Sequence, residues 1–306
     1  MSASSAAPAL VPSRRWEPLA LLLATGGLIG TLFPITKLAQ TAGVAPLPWA
    51  LSMMVGAGII LAALTRARGG RLPWSGRYLR YYAVSGFLSM ALSNVVVFLV
   101  MPRLGAGLTA VVYTLPPILT LLMATAVRLE RPNRRRVVGI GVGLLGALMI
   151  VGPRGSLPSP DLAGWMLFAF LAPLSVAAGN VYRTRAWPPG AHPLALATGT
   201  MFGGAAWVAL ALLASGGVGD LGGLALAPGL ALVQIALTAL TYVLYFRLQV
   251  VAGPVYLSQI GYVATAVGLA SGALAFGETY SPWVWGGAAV IVAGVLLVST
   301  GRRKAG

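Results

Sequence analysis

Apolar runs of about 20 residues follow one another along this chain with only short polar breaks, which is the length a helix needs to cross a bilayer core. Ten runs are legible: 18–37, 48–65, 79–99, 105–127, 136–152, 163–183, 194–214, 228–247, 253–276 and 282–300. Charged residues make up 8% of the chain, against about 25% in a soluble domain. So few charges cannot cover a water-facing surface, and a soluble enzyme or a disordered tail is excluded. In lipid every backbone polar group must be satisfied internally, and runs this long and uniformly apolar suit helices rather than alternating barrel strands. The fold expected is all-α, a polytopic membrane protein of ten transmembrane helices.

The basic residues orient it. Lys and Arg gather on the cytoplasmic side of membrane proteins. With the N-terminus inside and the spans alternating, 18 of the 21 Lys and Arg residues, Arg183 among them, fall on the inner side, and Arg103, Arg154 and Lys37 on the outer. An odd helix count spoils this split. Both termini are expected in the cytoplasm and the membrane is expected to be a bacterial-type inner membrane. Residues 1–16 read as a short polar leader without a convincing cleavage site, and the first span is expected to be retained. The net charge of +16 sits in short clusters between apolar runs rather than on a soluble face, which argues against nucleic-acid binding.

Sliding the chain against itself by 148 residues brings Glu130 onto Glu278, Gly139 onto Gly287 and Gly146 onto Gly294, and basic Lys37 onto basic Arg185, without a gap. The expected organisation is a leader (1–16), a first five-helix repeat (17–153), an outer linker (154–162), a second repeat (163–300) and a tail (301–306). An odd number of helices per repeat inverts one half relative to the other. Inverted repeats mark alternating-access transporters, with the solute site near midplane around a central cavity.

Polar residues fall in stripes. The third span carries Ser85, Ser89 and Ser93 at i, i+4, i+8, with Asn94 beside them; the eighth carries Gln234, Thr238, Thr241, Tyr242 and Tyr245 on one face. Polar side chains at membrane depth face the bundle interior or a wet cavity. The fourth span holds Tyr113, Thr114 and adjacent Pro116 and Pro117, expected to kink it and free carbonyls. The ninth holds Gln259 and Tyr262 with no such proline, and the sixth holds Asn180 with a kink expected at Pro173. Ser89, Asn94, Tyr113, Thr114, Asn180, Thr238, Tyr242, Gln259 and Tyr262 are the candidate substrate ligands. Lys37, Glu130, Arg185 and Glu278, paired by the repeat at the two membrane faces, are the candidate gate residues. Neutral donors, acceptors and aromatic faces suit a zwitterionic or polar uncharged solute.

The two Glu-x8-Gly-x6-Gly stretches, with the basic residue ending the first helix of each half, resemble the drug/metabolite transporter superfamily in its ten-helix EamA-type branch, over about residues 17–300. The resemblance implies a basket of helices around a central cavity and transport of small metabolites, often amino-acid export. Tyr113 to Pro117 is similar to the amino-acid exporter subgroup, whose cavity aromatics are replaced here by Met90, Asn94, Thr114 and Pro116. A broader drug or metabolite permease is the alternative reading.

Other chemistry is thinly represented. There is no cysteine, and the one histidine, His192, sits in a Pro-Gly-Ala-His-Pro loop, expected to be solvated. With no carboxylate at mid-span, a membrane-embedded enzyme lacks its parts. Gly141 to Gly146 spells GxGxxG, but inside a membrane helix rather than after a strand, so dinucleotide binding is not expected. No cofactor, metal or nucleic acid is expected; the partners expected are the bilayer and a small solute, with the chain as a monomer. Proton-coupled carriers relay protons through intramembrane acids or His, so an uncoupled facilitator is expected.

Overall fold

The computed structural model describes residues 16–97, 99–100, 115–131, 133–151, 160–276 and 282–300. These are helical throughout, with no strand among them: α1 (Glu17–Thr41), α2 (Pro46–Ala67), α3 (Gly76–Gly86) running into a π-helical turn (Phe87–Ala91), α4 (Pro116–Ala126), α5 (Arg134–Val151), α6 (Pro160–Ala169), α7 (Leu171–Arg185), α8 (Pro193–Ala214), a 3-10 helix (Gly217–Leu226), α9 (Pro228–Ala252), α10 (Pro254–Leu257), α11 (Ile260–Phe276) and α12 (Pro282–Thr300). Helices α1, α2, α8 and α9 are each long and apolar enough to cross a bilayer alone. Leu23, Phe33, Ile59, Leu122, Leu210 and Leu232 point outward, an apolar surface that water does not tolerate but lipid does.

Proline writes many of the helix starts, at the first or second position, where the missing N–H has no intrahelical partner to lose. Pro116 and Pro117 are of this kind. They open α4; the preceding half of the expected span, with Val112, Tyr113 and Thr114, lies outside the described residues. Pro173 behaves as expected: the sixth span breaks at Phe170, within one turn before it, separating α6 from α7. The ninth span, which has no such proline, breaks between α10 and α11 at Ser258 and Gln259.

Packing follows a pattern. α5 lies on α12, α2 on α8, α1 on α11 and α9, α4 on α7, α3 on α8 and α2 on α9. Exchange each element for the one 148 residues away and the pattern maps onto itself: α1 on α11 becomes α7 on α4, and α3 on α8 becomes α9 on α2. The α5–α12 pair is its own image, and there the glycines singled out by the repeat meet. A Cβ added to Gly146 would lie 2.6 Å from the Gly287 carbonyl oxygen, and one on Gly294 would lie 2.7 Å from that of Gly139. Two glycines of the GxGxxG string are therefore helix-packing surface, Gly146 against α12 and Gly143 beneath the ring of Tyr262, while Gly141 meets nothing.

Two large apolar cores and two smaller clusters form among the described residues. One large core joins α2, α3, α8 and α9 through Met54, Leu61, Tyr81, Met201 and Phe246. The other joins α1, α5 and α9 to α12 through Leu22, Ile140, Leu248, Tyr256, Tyr262 and Ile291. Polar side chains sit between them.

Candidate functional site

The largest fully buried side chain is charged. Arg183, 1% exposed, lies in the last turn of α7. Hydropathy ends the sixth span at this residue and so assigns it to the cytoplasmic flank; the structure turns it into the bundle instead. Its neighbours come from three helices. Asn180, Arg183 and Thr184 share one face of α7 at i, i+3, i+4. Tyr242, Tyr245 and Gln249 share one face of α9. The π-helical turn after α3 supplies Ser89 and Met90; such turns carry an extra residue per ring and re-aim side chains.

The guanidinium is held entirely by neutral groups. Its Nε donates to Gln249 Oε1 at 2.9 Å, its Nη2 to Asn180 Oδ1 at 2.6 Å and to the Tyr245 hydroxyl at 2.5 Å, and its Nη1 to Ser89 Oγ. Tyr245 in turn donates to Asn180 Oδ1 at 2.8 Å, and Gln249 Nε2 donates to the Asn180 carbonyl and to Thr184 Oγ1. The guanidinium carbon lies 5.1 Å from the centroid of the Tyr245 ring and 5.9 Å from that of Phe246, within cation–π range. The ion pairs among the described residues lie elsewhere, Arg136 with Glu130 and Arg247 with Glu17. One N–H of Nη1 has no partner among the described residues. The arrangement is a buried positive charge with its hydrogen bonds mostly met and no countercharge among the described residues.

An aromatic layer covers this group. Tyr81 packs on Tyr182 and Trp187, and Trp187 on Phe246, with centroids 6.0 to 6.4 Å apart. Trp187 also lines a cavity of about 590 Å³ at the end of the bundle, together with Arg68, His192 and Arg247. His192, exposed as expected, has a further role: its Nδ1 caps α8 by accepting from the Leu194 N–H at 3.2 Å.

Of the residues expected to bind solute, the structure brings together Ser89, Asn180 and Tyr242. The Tyr242 ring stacks on Tyr245 at 5.4 Å and its hydroxyl meets Met90 Sδ at 3.0 Å. Asn94 directs its amide to the Met90 carbonyl of its own helix, at 2.6 Å. Thr238 and Gln259 are buried with side-chain polar atoms that have no partner among the described residues. Tyr262 donates to the Ile140 carbonyl at 3.2 Å and belongs to the packing on α5. Tyr113 and Thr114 lie outside the described residues. Arg183, Tyr245 and Gln249 complete the group; Tyr245 is already in the eighth-span stripe, and Gln249 extends it by one turn. Spacing at i+3 puts Arg183 on the same helix face as Asn180 but does not say whether it turns inward, so no sequence signal singles it out.

Among the gate candidates, Lys37 and Arg185 are exposed. Arg185 Nη1 reaches the Val127 carbonyl at 3.4 Å. Glu130 pairs with Arg136 and accepts from the Val255 N–H at the start of α10, at 3.4 Å; Glu278 lies outside the described residues. This makes Glu130 a tether between the end of α4 and the start of α10. Glu130→Ala is expected to lower stability by about 1 kcal/mol and Arg185→Ala by less than about 0.5 kcal/mol. Thermal unfolding of the purified variants checks this, and equal losses would count against the tether. No three His, Asp or Glu side chains among the described residues group as metal ligands.

One solved crystal structure superposes with a TM-score of 0.73 over 91% of this chain and 98% of its own, at 18% sequence identity, a likeness of fold alone. No curated protein matches the sequence. Residues 16–152 match the model of the EamA-like transporter family, of the drug/metabolite transporter superfamily. With four helices long and apolar enough to cross a bilayer, the chain is a multi-pass membrane protein that is similar, over residues 16–152, to the EamA-like transporter family.

Proposed function

We propose that this membrane transporter exports amino acids or similar small polar metabolites by alternating access, as an uncoupled facilitator, across a bacterial-type inner membrane with both termini in the cytoplasm. Two inverted halves, 17–153 and 163–300, are proposed to rock about the solute site, a division supported by the exchange symmetry of the helix contacts. The observation that carries the reading is the buried polar group where α3, α7 and α9 meet: neutral hydroxyls and amides around one guanidinium, inside an otherwise apolar bundle. One cation matches a solute with one anionic group and not a polyanion.

The facilitator reading rests on where the acids lie. Glu17 begins α1, Glu130 lies between α4 and α5, Asp161 is in the first turn of α6, and Asp220 is in the 3-10 helix. None of these four occupies the middle of a span, so none is placed to relay a proton. Counterflow and net flux of labelled amino acids in proteoliposomes, with and without an imposed pH gradient, test both parts. Downhill flux that ignores the gradient is expected; uphill accumulation driven by the gradient alone would overturn it.

A further inference from the structure

We propose that Arg183 is the anchor for a carboxylate on the transported solute, and that Ser89, Asn180, Tyr245 and Gln249 are placeholders that hold the guanidinium while the site is empty. A guanidinium taken out of water keeps a large solvation cost unless an opposite charge meets it. Ionisable groups at membrane depth are rare and mark substrate or ion pathways. Here hydrogen bonds are supplied by four neutral side chains and the countercharge is missing among the described residues. A carboxylate supplies what they lack: the negative charge, and paired oxygens that match the guanidinium fork.

The placeholders are well chosen for release. Each is a neutral acceptor, so each bond to Arg183 is weaker than the bidentate pair of opposite charges that would replace it. Asn180 Oδ1 also accepts from Tyr245, and Gln249 also donates through Nε2 to Thr184, so each side chain keeps one bond when it lets go. The empty carrier can thus keep Arg183 buried and still pass between its two facing states, which a facilitator must do on each return. Entry is short. The cavity beside Arg68, His192 and Arg247 reaches Trp187, Trp187 packs on Phe246, and the Phe246 ring faces the guanidinium. The inference deepens the amino-acid reading and rests on it for the identity of the solute, but its binding test stands apart from transport.

The test measures thermal unfolding of the purified full chain with a panel of standard amino acids, acetate and lactate, against the amines that remain when each amino acid loses its carboxylate. Carboxylates are expected to stabilise the wild type and the matching amines are not. Arg183→Gln is expected to weaken apparent affinity by about 100-fold, and Arg183→Lys, a point charge without the fork, by about tenfold. Arg66→Gln, on the exposed flank of α2 and outside the cavity lining, keeps the selectivity. Stabilisation by amines equal to that by carboxylates, no stabilisation by any carboxylate, or carboxylate selectivity surviving in Arg183→Gln would each overturn the proposal. If Arg183→Gln does not fold, the wild-type panel and Arg183→Lys decide it by the same criteria. Carboxylate binding without flux in proteoliposomes would support the site and sink the transport reading. Flux of amines that Arg183→Lys leaves unchanged would do the reverse.

Discussion

Gly86→Ala and Gly203→Ala will each unfold at a much lower temperature than the wild type, while Gly27→Ala and Gly141→Ala will not. All four sit in helices, where alanine is the better former by about 1 kcal/mol, so propensity alone predicts stabilisation at every one. Packing reverses the sign at two of them. A Cβ on Gly86 would lie 2.5 Å from the Gly203 carbonyl carbon and clash with the Gly204 nitrogen; one on Gly203 would lie 2.6 Å from the Tyr82 carbonyl carbon and clash with its oxygen. Those atoms are backbone on both sides, so no rotamer change relieves the contact and α3 must move off α8. Overpacking of this kind costs about 3 kcal/mol. Gly27 and Gly141 meet nothing within 4 Å. Thermal unfolding in detergent, read by size-exclusion chromatography of the surviving monodisperse protein, separates the pairs. Equal behaviour of the four would show that the close α3–α8 approach is wrong. The contact also matters for the site, since α3 continues directly into the π turn that carries Ser89.

The second large effect is a coupling. Asn180→Leu removes the oxygen that accepts from both Arg183 and Tyr245 and leaves a buried guanidinium short of an acceptor. A lost hydrogen bond to a buried charge costs about 3 kcal/mol. In an Arg183→Met background the charge is already gone, and the same Asn180→Leu change is expected to cost about 1 kcal/mol. The difference, about 2 kcal/mol, is the interaction energy of the pair and lies well above the additivity error for independent sites. It is measured by the unfolding free energies of the four species of the cycle. Additive costs would mean that Arg183 does not depend on Asn180. Replacing a buried charged group by an apolar one of similar size often leaves stability unchanged, so Arg183→Met is expected to fold. A charge that stability does not require, kept inside a membrane bundle, needs a functional reason.

The parts of this protein that depend on local pattern were legible in the chain. Span-length hydropathy decides that segments such as α1, α2, α8 and α9 are helices, because lipid leaves the backbone no other way to satisfy itself. The 148-residue repeat picked out Gly139, Gly146, Gly287 and Gly294, and these glycines meet across α5 and α12 because only side chains this small let two helices come so close. The polar stripes pointed to Ser89 and Tyr242 for a similar reason: a helix presents every third or fourth residue to the same neighbour. Arg183 was not legible. A cation one turn from the end of a span can snorkel toward water or turn inward, and its own helix does not decide between them. The choice belongs to residues far away in the chain: Ser89 on the π turn, and Tyr245 and Gln249 on α9, which offer acceptors and aromatic faces on the inner side. Hydropathy sums along one dimension and sees a charge at a boundary. Only the tertiary structure, by bringing three helices to one point, decides that this charge is buried, which neutral groups hold it, and that no carboxylate among the described residues answers it.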